Sequence, residues 1–313
     1  MKLFKALPSL IFVAAFISRV FAQEVPPEQP VEGERVIIVT GARFSYNLVQ
    51  RLIDEFNKEY PNVQIIIEAR GSNDPENYDV LAEVYKHDEK RATAREYLYI
   101  ARYAIVPIAS SHSQFARIYQ EKGLTTQLIR QIFFNNVFAD HEDEEKLRAP
   151  FTVYTRFQKA GAPKVFADFY GFEQNDINGK AIAGSDEHLL KALLRDSTAI
   201  SYLPMPVVYD NITGQVRDGV TVIPTDLDGN GKVKADERGF YISLRTATLA
   251  LENEKKSLNI PVGYLHLSVD KQNNNTSLKL FLRWVSQNSD RFVKEYGYLK
   301  TDMQSSDNQQ QDL

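Results

Sequence analysis

Along this chain of 313 residues a short grammar recurs: a buried-type strand, a loop of small residues, an amphipathic helix and a further strand. That repeat restricts the fold to layered α/β architectures with parallel strands. Its first copy opens with Val36-Ile37-Ile38-Val39, a continuous apolar run of the kind that is covered on both faces. The turn Thr40-Gly41-Ala42-Arg43-Phe44 follows, with Ser45 as the expected N-cap. Leu48, Val49, Leu52, Ile53 and Phe56 then recur at helical spacing until Pro61 stops the helix, and Val63 to Glu68 reads as the next strand. Further copies are expected at Phe151 to Thr155 with a helix from Pro163 to Gly171, and at Ala181 to Ala183 with a helix from Ser185 to Arg195 and the strand Ala199 to Leu203. Late in the chain, Leu265 to Val269 reads as a strand and Thr276 to Gln287 as an amphipathic helix carrying Trp284.

A composition of 43% hydrophobic and 25% charged residues is that of a globular protein, which excludes collagen-like, coiled-coil and wholly disordered classes. The length exceeds what one core comfortably serves, so two domains of roughly 100–150 residues are expected. The absence of cysteine removes thiol catalysis, thiolate metal sites and disulfides together. A formal charge of −4 gives no basic face for nucleic acid.

The first 22 residues resemble a secretory signal peptide: Lys2 and Lys5 ahead of the apolar stretch Leu7 to Ile17, then Val20-Phe21-Ala22 as a small-x-small cleavage site. Their removal takes Lys2, Lys5 and Arg19 and no acid, leaving 34 basic against 41 acidic residues, a charge of −7. Residues 23–34 are rich in Pro and Glu and read as a linker, and 303–313 as a disordered polar tail.

One local motif is sharp. Asp226-Leu227-Asp228-Gly229-Asn230-Gly231-Lys232-Val233-Lys234-Ala235-Asp236-Glu237 fits the twelve-residue EF-hand loop, with oxygen ligands at positions 1, 3 and 5, Gly at 6, an apolar residue at 8 and Glu at 12. The expected calcium ligands are Asp226, Asp228, Asn230, the backbone carbonyl of Lys232 and a bidentate Glu237. Lys234 departs from the pattern at position 9, where a water would complete the shell. Because Val220 to Pro224 reads as a strand, the site is expected to be a single structural one rather than a paired sensor.

A second signal is distributed over three strand-to-helix loops: Thr40 to Ser45, Arg156 to Pro163 and Gly184 to Asp186. A helix N-terminus offers unpaired N–H donors and partial positive charge, and the planar forks of Arg43 and Arg156 chelate a tetrahedral oxyanion. Catalytic patterns are weaker. The five histidines lack metal-ligand spacing, and no Gly-x-Ser-x-Gly elbow, Walker loop or Gly-x-Gly-x-x-Gly occurs.

At these residues the chain resembles the periplasmic phosphate-binding proteins of ABC transporters, within the type 2 solute-binding proteins. The resemblance covers most of Val36 to Leu299 and rests on Thr40-Gly41-Ala42 with Phe44, Gly71-Ser72, Tyr154-Thr155-Arg156 with Ala160-Gly161-Ala162, Ala199-Ile200-Ser201-Tyr202, and Phe281-Leu282 through Tyr296-Gly297-Tyr298-Leu299. It implies two α/β lobes with parallel-rich sheets, joined by a two-stranded hinge, with a dehydrated oxyanion held between them. Residues 34–105 with 262–302 would form the first lobe and 106–261 the second. Carried over, Arg43, Phe44 and Ser72 would be first-lobe contacts, and Arg156, Ala160, Gly161 and Ala162 second-lobe contacts. The chain departs from the family where it has Ala160-Gly161-Ala162 in place of Ser-Gly-Thr, losing two hydroxyl donors, and where Arg43 replaces a Thr or Ser. The family's acceptor carboxylate would be Asp88.

The function expected is that of an exported, non-enzymatic, monomeric periplasmic protein that captures phosphate or a similar oxyanion for an ABC permease. The alternative is a calcium-stabilised cell-envelope interaction protein that binds no small anion. A secreted phosphoesterase is third, for want of a nucleophile and base pair.

Overall fold

In this computed structural model the described residues are 36–68, 77–84, 94–134, 147, 149–158, 161–253 and 258–301. The segments expected as signal peptide, linker and tail, and Ser72, Asp88 and Ala160, lie outside them. Among the described residues no helix is long and apolar enough to cross a membrane.

Nine strands join in one sheet of order β2-β1-β3-β9-β4-β7-β5-β6, with β8 paired to β4. The first end of the sheet comprises β1 (Ile37–Gly41), β2 (Ile65–Ile67) and β3 (Val80–Glu83), with β2 and β3 parallel to β1. At the far end β5 (Thr152–Arg156) is parallel to both β6 (Lys180–Ile182) and β7 (Ala199–Pro204). These are the recurring units seen in the sequence.

Between the two ends runs β4 (Arg95–Ser110), a strand of 16 residues. Its first part pairs antiparallel with β9 (Val262–Asp270) as far as Ala104 opposite Val262. From Ile105 it pairs with β7 on one side, and from Ile108 with β8 (Val220–Val222) on the other. The backbone thus passes from one lobe to the other at Ala104–Ile105, and beside it the chain returns through Pro261, whose carbonyl takes the Ile105 N–H at 3.0 Å. Those two crossings are the two-stranded hinge. From Tyr103 to Ser110 every residue of β4 is buried, so the connection lies inside the molecule.

In the first lobe α1 (Tyr46–Glu59) buries Leu48, Val49, Leu52, Ile53 and Phe56, the set picked out by periodicity. Phe56 meets Phe281 and Trp284 of α9 (Thr276–Asn288) edge-on, with centroids 5.2 and 5.9 Å away. Trp284 Nε1 donates to Glu59 at 2.8 Å. Ser45 departs from expectation: it is helical, its hydroxyl donates to the Ala42 carbonyl at 2.7 Å, and it caps nothing. A 3₁₀ turn over Arg43–Ser45 leads straight into α1, so the helix entrance carries no side-chain acceptor.

Among the described residues four further α-helices stand in the second lobe before β7: α2 (Gln114–Lys122), α3 (Thr126–Phe133), α4 (Gly161–Phe169) and α5 (Asp186–Leu194). The short α6 (Met205–Val208) continues β7; α7 (Ala235–Phe240) and α8 (Leu244–Asn253) follow the loop at 226–237. The core is aromatic here, with Phe166 stacked on Tyr202 at 4.0 Å and Phe133 edge-on to both.

Gly41 ends β1 at φ +127°, and a Cβ there would stand 2.1 Å from the Ala82 carbonyl oxygen. Only a residue without a side chain lets β1 and β3 approach this closely while taking that conformation. Gly41→Ala is therefore expected to destabilise the fold by more than ~1 kcal/mol in urea unfolding.

Candidate functional site

A cavity of about 480 Å³ opens where the lobes face each other. The first lobe contributes Gly41–Phe44 and Leu81–Val84, the tips of β1 and β3. The second contributes Arg156 at the end of β5, Gly161 and Ala162 at the start of α4, and Gly184–Asp186 with His188 at the start of α5. Parallel strands bring this about, because their C-terminal ends and the following helix N-termini collect on one edge. Of the residues expected in the anion site, Arg43, Phe44, Arg156, Gly161 and Ala162 line this one cavity.

Two buried tyrosines hold the first-lobe loops from behind. Tyr103 donates to the Val84 carbonyl at 2.7 Å and Tyr298 to the Phe44 carbonyl at 3.0 Å. Burial pushes both phenols well above their ordinary range, so they remain donors. Across the cleft Gly161 meets Val84 so closely that a Cβ on Gly161 would lie 2.3 Å from Val84 Cγ2 and 2.9 Å from its carbonyl oxygen. The lobes therefore touch at the rim of the cavity.

Arg156 is the charged centre of the second-lobe wall. Its Nη1 donates to Asp186 Oδ1 at 3.0 Å, and the two side chains are only 11% and 10% exposed. Its Nε is buried with no hydrogen-bond partner. Asp186, the first residue of α5, has its carboxyl pushed above the ordinary range by burial, with Arg156 opposing the shift. A second carboxylate, Glu83, lies at the first-lobe wall and accepts the Ser268 hydroxyl at 2.6 Å.

Sequence reasoning named the Gly184 to Asp186 loop but did not place Asp186 on Arg156. The signal available was an acid in the first turn of a helix whose N-terminus was already a candidate. It also missed the contact of Ser185 Oγ with His188 Nδ1 at 2.9 Å. The same ring nitrogen accepts the Ser185 N–H at 3.1 Å, so the pair closes the helix entrance as a capping box.

Away from the cleft, Asp226, Asp228 and Glu237 each place a carboxylate oxygen within 4.8 Å of the others. Asp226 takes the amides of Asn230 and Gly231 at 3.0 and 2.6 Å, which folds the loop around its side chain. Glu237 takes those of Leu227 and Lys234, each at 2.7 Å. Asn230 Oδ1 accepts the Lys232 N–H at 3.0 Å. Lys234 does more than occupy position 9: it pairs with Asp228 and holds that carboxyl below its usual range. Burial pushes Asp226 the other way. This donor set, all oxygen and rich in carboxylate, suits a hard cation. The loop is also anchored, since Asn259 Nδ2 donates to the Asp226 carbonyl at 2.9 Å and to Thr126 at 2.8 Å.

No family model matches the sequence, and no curated protein matches it either. Solved structures do. A Clostridium perfringens protein described as a phosphate ABC transporter substrate-binding protein, with phosphate bound, gives a TM-score of 0.62. Identity is 16%, over 86% of this chain and 100% of that one. An ABC-type phosphate transport receptor from Vibrio cholerae gives 0.55 at 12% identity, over 85% and 100%. The chain has the type 2 periplasmic-binding fold. At such identities the likeness establishes architecture, and the site must be argued from its own residues.

In a type 2 periplasmic-binding fold with the cleft closed on itself at Gly161 and Val84, a side chain on Gly161 acts as a wedge. Gly161→Ala is expected to hold the lobes apart, seen as an increased radius of gyration in small-angle X-ray scattering. An unchanged radius would mean that Val84 yields instead.

Proposed function

We propose that this protein captures phosphate or a similar oxyanion between its lobes and hands it to an ABC transporter permease. It would work in the periplasm as a non-enzymatic monomer after loss of its signal peptide. One observation carries this reading: both lobes line a single cavity on whose wall an arginine, with its Nε buried and unsatisfied, stands beside the N-termini of α4 and α5. The Arg156 Nε is a donor without an acceptor, helix N-termini favour negative charge, and an oxyanion supplies both acceptor and charge. The two neighbouring structures are described as phosphate-transport proteins, which supports the same reading.

Within the cleft, Arg156 and the amides of Gly161 and Ala162 would hold the anion from the second lobe, and Arg43 and Phe44 from the first. Calorimetric titration with phosphate, sulfate and acetate tests the proposal. Binding of phosphate or sulfate is expected, with Arg156→Ala costing about 2–5 kcal/mol of affinity. Arg156→Lys is expected to recover only part, because an ammonium lacks the planar fork. Absence of binding to every anion would return the chain to the calcium-stabilised interaction module, which the engagement of Arg156 by Asp186 also favours.

The loop from Asp226 to Glu237 is proposed to hold one structural Ca²⁺ through Asp226, Asp228, Asn230, the Lys232 carbonyl and Glu237. The bound ion would supply positive charge to carboxylates otherwise matched only by amides and Lys234. A ligand that binds the native state alone stabilises it by about 2.7 kcal/mol at a hundred times its Kd. Millimolar calcium is therefore expected to raise the melting temperature, chelator to lower it, and Glu237→Gln to abolish the difference. A chelator-insensitive melting temperature in the wild type would remove the metal from the account.

A further inference from the structure

Arg156 is not a bare cation waiting in a cleft. Its guanidinium already has a carboxylate at 3.0 Å, supplied by the first turn of a helix that the cleft itself uses. Both side chains are about nine-tenths buried, so water screens the pair weakly. The two charges cancel at the point where an oxyanion would need the positive one. We propose that Asp186 is a specificity-determining residue: a tethered counter-anion that competes with the incoming oxyanion for Arg156 and limits how much negative charge the cleft accepts. This inference rests on the oxyanion-capture reading above and deepens it.

Among the described residues Asp186 is ion-paired with no cation but Arg156, and a second carboxylate, Glu83, lines the same cavity. From β5 it faces Arg156; from its own helix, Glu187 and His188 are adjacent; from β4, β7 and the chain's end the phenols of Tyr103, Tyr202 and Tyr298 lie within reach of its charge. Arg43, on the opposing lobe, lines the same cavity but is exposed. The phenols remain neutral because burial pushes their ionisation upward, so they do not offset a second negative charge. A dianion placed on Arg156 is therefore repelled by Asp186 with twice the energy of a monoanion at the same position. Only the ionised form of Asp186 competes. Burial raises its pKa, so the competition fades as pH falls into the acid range, earlier than for an ordinary carboxylate.

The decisive variant is Asp186→Asn, which keeps the shape and removes the charge. Phosphate and sulfate affinities are measured by calorimetry on wild type and variant from about pH 5 to pH 8. The ratio of the two affinities cancels each ligand's own titration. Asp186→Asn is expected to bind both anions at least tenfold more tightly at the alkaline end, with the gain shrinking toward the acid end. Should the variant fold poorly, Asp186→Ser serves in its place, since it likewise removes the charge and is measured against the same two anions. Weaker binding by Asp186→Asn would make Asp186 a ligand-accepting group and overturn the competition, as would an unchanged affinity of the variant. In each of those cases anion capture itself stands. Failure of wild type and variant to bind either anion would overturn capture and competition together.

Discussion

The rest of this molecule hangs on β4. One strand of 16 residues supplies the antiparallel partner for β9 in the first lobe and for β7 and β8 in the second. Its ladder hydrogen bonds are the only regular backbone pairing that runs through both lobes among the described residues, and its last eight residues are buried. A shared strand of this kind cannot be lost from one lobe without unpairing the other. It changes partners at Ala104–Ile105, immediately after Tyr103, whose hydroxyl holds the Val84 carbonyl at the cavity.

The cleft and the loop from Asp226 to Glu237 pose the same electrostatic problem and answer it differently. Each buries carboxylates, and a buried charge must be paired or must accept strong hydrogen bonds. At the cleft Asp186 is paired with Arg156, which leaves the arginine's Nε as the unsatisfied group. In the loop Asp226 and Glu237 are met by backbone amides while Lys234 reaches only Asp228. The cleft therefore retains a spare donor, and the loop an excess of acceptors.

The parallel units at either end of the sheet were legible in the sequence for a physical reason. Parallel strands are covered on both faces, so they read as unbroken apolar runs, and each is followed by a helix with period-3.6 burial. The convergence of Asp226, Asp228 and Glu237 was legible because one short segment carries all three. By contrast β4 reads ambiguously: Pro107 lacks an N–H and would ordinarily mark an edge or a break, yet here it lies within a paired strand opposite Tyr202. Ser45 was misjudged because a 3₁₀ turn entered the helix ahead of it.

What the sequence alone determined about this protein is everything carried by local spacing: the α/β class, the helix faces, the loops that end in helix N-termini and the twelve-residue ligand loop. Only the tertiary structure decided which of those loops face one another. Arg156 and Asp186 stand 30 residues apart, and Val84 and Gly161 belong to different lobes. No periodicity links such pairs, since their distance is set by strand order across the sheet and by how the lobes close. The pairing that neutralises Arg156 follows from β5 and α5 standing side by side within the second lobe, because Arg156 alone is a cation and Arg156 with Asp186 is neutral.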